Sequence, residues 1–392
     1  MLPIPGKRES ALAYGQGCGY TGCKHGYKGV TELKKLRFRH LWMLAMGVLI
    51  ALFHLLAKNR KIMNALAYGT LPLRQALGRL CSHLPVSVAE ILCTIGVLAV
   101  IAWLGWTVVS VCRRKPRLLV FWRRLSLLIA VAMTLYLLLC ILLGASYRAD
   151  SFQDRSGLRA QPTSVEALYE VTALFTEKLI AAAETVPRGA DGQFSVPDEA
   201  VFDAATEIYR GAETLFPFLK LADVTPKRAI YSHIMSICNY TGFYFPFTGE
   251  AHINIEPPPA LMPATIAHEM AHQRGVASEL EANFVAVLAC TESGNAAYAY
   301  SGWLFGWIHL GNALYRYAPE TYYELARALP EAVWADLRAN DDFWAKYETK
   351  AAAVSDKVYD TMLKTYGQEL GVQSYGAVVD LLIAWAQQGG FQ

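Results

Sequence analysis

Ala264-Thr265-Ile266-Ala267-His268-Glu269-Met270-Ala271-His272-Gln273-Arg274-Gly275 is the stretch on which the reading of this chain turns. It contains the pattern H-E-x-x-H. Residues four apart stand one above the other on a helix. His268 and His272 can therefore aim both imidazoles at one point, which suits two ligands of a tetrahedral zinc. Glu269 lies beside the first ligand, where it can act as general base on an activated water. The stretch itself reads as a helix. Pro263 suits the first turn, Ile266, Ala267, Met270 and Ala271 offer an apolar face, and Gly275 suits the stop.

Zinc needs a third protein ligand. After Gly275 the chain reads Val276-Ala277-Ser278-Glu279-Leu280-Glu281-Ala282-Asn283-Phe284. Ser278 can cap a second helix with Glu281 in the capping-box position. That leaves Glu279 for the metal, with Glu281 as the alternative. Asn283, one turn beyond Glu279, can orient a ligand. Upstream, Gly249 to Ile255 alternates as a strand. An exposed strand edge beside such a helix can pair with an extended peptide, which makes Glu250, His252 and Asn254 candidates to face substrate. His233, Tyr240, Tyr298, Tyr300 and His309 are candidates to stabilise an oxyanion. Cys238 and Cys290 are candidates for a disulfide.

The rest of the chain gives this motif its setting. Of 392 residues, 54% are apolar and 18% charged, and the net charge is +3. The apolar excess sits in three segments, about 40–57, 88–112 and 125–147, each of a length to cross a bilayer. The basic residues cluster beside these segments, a membrane-topology signal and not a nucleic-acid footprint. The densest cluster, Arg113 to Arg124, should be cytoplasmic. Three spans then put the N-terminus in the cytoplasm and everything after Tyr147 outside the cell membrane. Lys58 to Lys61, Arg74 and Arg79 run against this rule. Residues 1–40, rich in Gly, Tyr and Cys near their middle, read as a flexible tail.

From Arg148 onward the composition is that of a soluble, mostly helical domain. Thr163 or Ser164 caps a helix to about Thr185, Ser195 another to about Leu215. Ala229 to Ile237 reads as a strand and Cys238 to Phe247 as a loop. Asn295 to Tyr317 reads as a long aromatic helix. Further helices are expected over 331–339, 342–366 and 372–388.

H-E-x-x-H followed by E-x-x-A-[ND] is similar to the glutamate-zincin pattern. With Phe247-Thr248-Gly249-Glu250-Ala251 upstream, His272-Gln273-Arg274-Gly275 and three N-terminal spans, the chain resembles a bacterial family of membrane-anchored zincin-like zinc metallopeptidases, catalogued largely as a domain of unknown function. The resemblance implies His268, His272 and Glu279 as ligands of Zn2+, Glu269 as base and Asn283 as support. The gap from His272 to Glu279 is shorter than in most glutamate zincins, and Ser278 stands where a third histidine would in the related three-histidine class. The expected architecture is three transmembrane helices (41–147) followed by a mainly helical α+β zincin-like domain (148–392). The expected function is hydrolysis of peptide bonds in a peptide or protein substrate at the lipid bilayer. A membrane-anchored binding or sensor module without turnover is the alternative.

Overall fold

The computed structural model describes residues 21–161, 164–365 and 375–391. The chain divides into two compact units, Met1–Val48 with Thr107–Thr134, and Leu49–Trp106 with Leu135–Gln392. Four helices come first: α1 (Thr21–Leu56), α2 (Arg60–Ser82), α3 (Val88–Arg113) and α4 (Arg117–Leu139). Three segments are long and apolar enough to cross a membrane: Arg37–Leu56, Val88–Arg113 and Arg117–Gly144. The third begins earlier than expected. Arg117, Arg123 and Arg124 stand in the first turns of α4, so only residues 114–116 separate it from α3. Long Arg stems tolerate a helix end whose head groups reach water. Residues 1–20 of the expected tail lie outside the described residues, and 21–40 belong to α1. Within the first unit, Trp42 Nε1 donates to Thr134 Oγ1 at 3.0 Å and Trp122 Nε1 to His40 Nε2 at 3.0 Å.

Helix α2 fills the segment between the first two expected spans, for which no helix is expected from the sequence. Asn59 caps it, accepting from the Ile62 amide at 3.3 Å. Met63, Ala67, Arg74, Gly78 and Cys81 form its buried face. Arg74 is 2% exposed, and its guanidinium donates to Ser146 Oγ at 3.4 Å. This positive charge is therefore a packing residue.

The second unit continues with α5 (Phe152–Ser156), α6 (Val165–Ala183), α7 (Asp198–Ala204) and α8 (Arg210–Leu215). Ser164 caps α6 as expected, accepting from the Ala167 amide at 3.2 Å, while Thr163 lies outside the described residues. The single helix expected from Ser195 to Leu215 is instead the pair α7 and α8, with a turn between them. A small sheet follows: β1 (Lys227–Arg228), β2 (Gly242–Phe245) and β3 (Glu250–Ile253), with α9 (Ser232–Ile237) between β1 and β2. The strand expected over 229–237 is therefore mainly helix. Glu90 of α3 accepts from the amides of Ile230 and Tyr231, both at 2.9 Å. Those amides would otherwise go unpaired at the helix start.

The sheet order is β1-β3-β2, with β1 parallel and β2 antiparallel to β3. Strand β3 is thus central and paired on both sides. Then come α10 (Met262–Gln273), α11 (Glu279–Thr291), α12 (Ala296–Tyr317), α13 (Pro319–Ala328), α14 (Glu331–Ala345), α15 (Lys350–Thr365) and α16 (Tyr375–Gln387). Ten of the thirteen residues of α11 are buried, among them Leu280, Phe284, Val285, Val287 and Leu288. Burial of those five alone is worth on the order of 10 kcal/mol as an upper estimate. This core helix therefore holds its first residue, Glu279, in place. Helix α12 packs on α6 where Gly306 lets the Phe175 ring approach without clash.

Candidate metal centre

Helix α10 begins with Pro263 in its first turn and ends where Gly275 takes φ +83°. That left-handed turn redirects the chain at once into α11. His268, His272 and Glu279 are thereby brought together, with ligand atoms all within 4.8 Å of one another. His268 Nε2 lies 3.1 Å from His272 Nε2 and 3.1 Å from Glu279 Oε2, and His272 Nε2 lies 3.5 Å from Glu279 Oε1. Ligand atoms on a tetrahedral zinc with bonds of about 2.0–2.1 Å stand about 3.3 Å apart. The separations of 3.1, 3.1 and 3.5 Å lie near that spacing, with His268 facing Oε2 of Glu279 and His272 facing Oε1.

The donor chemistry fits as well. His272 Nδ1 is 2.7 Å from the Val276 carbonyl oxygen. That oxygen only accepts, so Nδ1 carries the proton and, in the neutral ring, Nε2 presents its lone pair to the cluster. Burial opposes charge on His272, yet the Glu279 carboxylate overrides it and pushes the imidazole up to about 9. Burial likewise works against the Glu279 anion, but His272 and His268 hold it well below the usual carboxylate range. A group of two nitrogens and a carboxylate that draws in positive charge this strongly is suited to a cation.

Glu269 points into the same place. It is 4% exposed, and its Oε2 has no hydrogen-bond partner. Burial, reinforced by Glu279, pushes it up to about 7 against the pull of His268 and His272. Gly242 of β2 covers it: a Cβ there would stand 2.6 Å from Glu269 Oε1. The glycine at the start of an aromatic strand is what admits the carboxylate. That role was legible only as an out-of-place glycine in the segment taken as a loop.

Tyr359 of α15, 80 residues from Glu279, was not singled out from the sequence. Its hydroxyl donates to Glu279 Oε1 at 2.7 Å, and its ring packs edge-on against Tyr240 at 5.7 Å. Burial and the neighbouring Glu279 keep this phenol protonated, far above its ordinary range. The bond fixes one carboxylate oxygen and leaves Oε2 toward His268. Tyr359→Phe is expected to weaken zinc binding roughly 10- to 100-fold, the usual effect of losing a group that orients a ligand. Competition against a chelating dye would measure it, and unchanged affinity would refute the role.

The alternative ligand is accounted for elsewhere. Glu281 Oε2 accepts from the Phe152 amide at 2.8 Å and its Oε1 from the Gln153 amide at 3.1 Å. It caps α5, and Ser278 makes no side-chain cap of its own on α11. The hydrogen bonds of His268 and His272 go to Glu279, to each other and to Val276, none to Asn283. The three substrate-strand candidates are also engaged. Glu250 accepts from the Val88 and Ala89 amides at 3.1 and 2.9 Å. His252 Nε2 is 2.8 Å from Ser87 Oγ, and Asn254 Nδ2 donates to Ser236 Oγ at 2.9 Å. All three are buried on or just after a central strand, so they cannot meet an added peptide strand.

Of the oxyanion candidates, Tyr298 donates to the Val201 carbonyl at 2.8 Å and Tyr300 to Asp336, both deep in the core. His233 pairs with Glu256 at 3.1 Å. His309 is buried, and burial together with His268 pushes it down to about 4, so it carries no charge. Cys238 and Cys290 are both free thiols, the latter buried between helices, and form no disulfide.

Behind α10, Arg274 is 1% exposed and lies over the Tyr209 ring at 3.7 Å. It pairs with Glu213 at 3.3 Å and with Asp223. Gln273 Nε2 donates to the Gly249 carbonyl at 3.3 Å, tying α10 to the turn between β2 and β3.

Fold and site thus define a mainly helical protein with three helices fit to cross a membrane, a small sheet, and a buried His–His–Glu cluster beside a buried carboxylate. The chain belongs to the family described as "Protein of unknown function (DUF3810)", whose model matches residues 70–383 of the 392. No curated protein and no solved structure matches it.

Proposed function

We propose that this protein is a membrane-anchored, zinc-dependent metallopeptidase of zincin type, with its catalytic domain outside the cytoplasm. The observation that carries the reading is the triangle of His268 Nε2, His272 Nε2 and the Glu279 carboxylate beside the unpartnered Oε2 of Glu269. His268, His272 and Glu279 would hold the ion. Zinc there would supply Lewis acidity, polarising a peptide carbonyl and making a water molecule easier to deprotonate.

The chain's own residues do the rest. Glu269 Oε2, buried and without a partner, takes a proton from the attacking water and later gives it to the leaving amine. The His272 Nδ1–H bond to Val276 keeps that ring in the tautomer whose Nε2 can ligate. Tyr359 holds Glu279 from behind. Gly242, on the edge strand β2 of this sheet, adjoins Glu269. Three helices of membrane-crossing length support anchoring, and the basic residues between α3 and α4 support a cytoplasmic side for that end.

The test is metal content of the purified full chain. About one zinc per chain is expected, lost in His268→Ala and Glu279→Ala and kept in Glu281→Ala. Retention of zinc by Glu279→Ala with loss in Glu281→Ala would overturn the ligand set. A binding module without turnover would keep the metal and cleave nothing.

A further inference from the structure

The site explains α10, α11 and α15, but one face of α2 remains without a role. Its inner face packs on the rest of the second unit through Met63, Ala67, Arg74, Gly78 and Cys81. Its outer face carries Ala65, Gly69, Pro72, Leu73, Ala76 and Leu80, all exposed, while Tyr68 at its margin donates to the Asp150 carbonyl at 3.3 Å. These follow one another at intervals of one, three or four residues and make one stripe along the helix. Leu73 is 54% and Leu80 67% exposed, and the stripe continues into Leu84 and Val86. Arg79 interrupts it, and Lys61 flanks it at the start.

Where α2 sits decides what covers the stripe. α1 ends at Leu56 and α2 begins at Arg60; α2 ends at Ser82 and α3 begins at Val88. The connectors are therefore residues 57–59 and 83–87. At about 3.3–3.6 Å per residue, they reach at most roughly 10 Å and 18 Å. Each neighbouring helix is long and apolar enough to cross a membrane. The headgroup layer on each side of the hydrocarbon is itself about 5–8 Å deep. The two ends of α2 are thus leashed to within roughly 10 Å and 18 Å of the ends of the spans. A second copy of the chain is a poorer occupant. One helix stripe offers on the order of a few hundred Å² per copy, below the roughly 600 Å² per partner of a stable interface.

We infer that α2 is an interfacial helix: its outer stripe lies in the headgroup layer of the bilayer while its inner face packs on the rest of the second unit. The inference rests on the membrane part of the proposed function and not on its chemistry. It has a consequence for the site. Gly78 of α2 approaches the Gly249 carbonyl so closely that a Cβ on Gly78 would stand 2.8 Å from it. The same carbonyl accepts from Gln273, the residue after His272. The inner face of α2 is thus joined through the Gly249 carbonyl to the end of α10.

The experiment places p-benzoylphenylalanine at Leu73 or Leu80 of the full chain. The protein is reconstituted in phosphatidylcholine–phosphatidylglycerol vesicles and irradiated, and adducts are read by mass spectrometry. The same probe at Ile101, exposed in α3, reports on the membrane reading itself; at Glu184, exposed on the second unit, it reports on solvent. Lipid adducts at Leu73 and Leu80 at least about tenfold above those at Glu184 are expected of a helix buried in the interface. Background labelling at both positions, with Ile101 labelled, would overturn the interfacial helix and leave the membrane reading standing. Crosslinked dimers in place of lipid adducts would overturn it in favour of a second copy. Absence of lipid adducts at Ile101 as well would remove the membrane reading and this inference together.

Discussion

Glu269→Gln is expected to keep its zinc and its fold and to lose peptide-bond hydrolysis by at least about a hundredfold, the lower end of what a general base contributes. The amide is nearly isosteric with the carboxyl, so the space under Gly242 stays filled. It cannot take a proton from water, however, and neither the three candidate ligands nor Tyr359 can replace it. His268, His272 and Glu279 are committed to one another. Tyr359 donates to Glu279 and stays protonated. The measurement is turnover of a mixed peptide library by the full chain and the variant, with zinc content determined on the same samples. Full activity in a variant that retains zinc would remove Glu269 from the mechanism.

The second large effect concerns stability. Arg274→Met is expected to destabilise the second unit by about 3 kcal/mol, read as a shift in the urea midpoint. The guanidinium is 1% exposed, pairs with Glu213 and Asp223, and lies over Tyr209. Removing it strands two carboxylates. Breaking a buried pair costs about 3–5 kcal/mol. Glu213 and Asp223 retain 16% and 25% exposure, so water relieves part of that cost and the lower end applies. Arg274→Lys keeps the charge but not the fork and should fall between. A change below about 1 kcal/mol in Arg274→Met would show that the acids are not held by this residue.

What the sequence reveals and what it hides separate along physical lines. The three apolar spans and the α10 helix are legible because their signals are local: unbroken apolar length in one case, four-residue spacing and a terminal glycine in the other. Glu279 is legible because α11 starts four residues after Gly275, close enough for the motif to carry across. The misread segments are those where a distant group decides. Ala229 to Ile237 has the β-branched and aromatic residues of a strand. The carboxylate of Glu90, some 140 positions away, takes the amides of Ile230 and Tyr231, and α9 starts beside them. Glu250 to Ile253 is a strand as expected, but the short β1 pairs with its other side and turns an expected edge into a centre. Glu281 has the spacing of a capping box on its own helix and instead caps α5. Helix α2 has too little net apolarity to stand out between two spans. Tyr359 has no local pattern at all, since its role exists only where α15 crosses Glu279.

The central claim is that His268, His272 and Glu279 share one zinc. Zinc K-edge X-ray absorption on the purified full chain tests it most directly. A stoichiometric ion is expected, with only nitrogen and oxygen neighbours at about 2.0–2.1 Å and the multiple-scattering signature of imidazole. Sulfur neighbours at about 2.3 Å, drawn from the chain's eight cysteines, or no bound zinc in the folded protein, would contradict it.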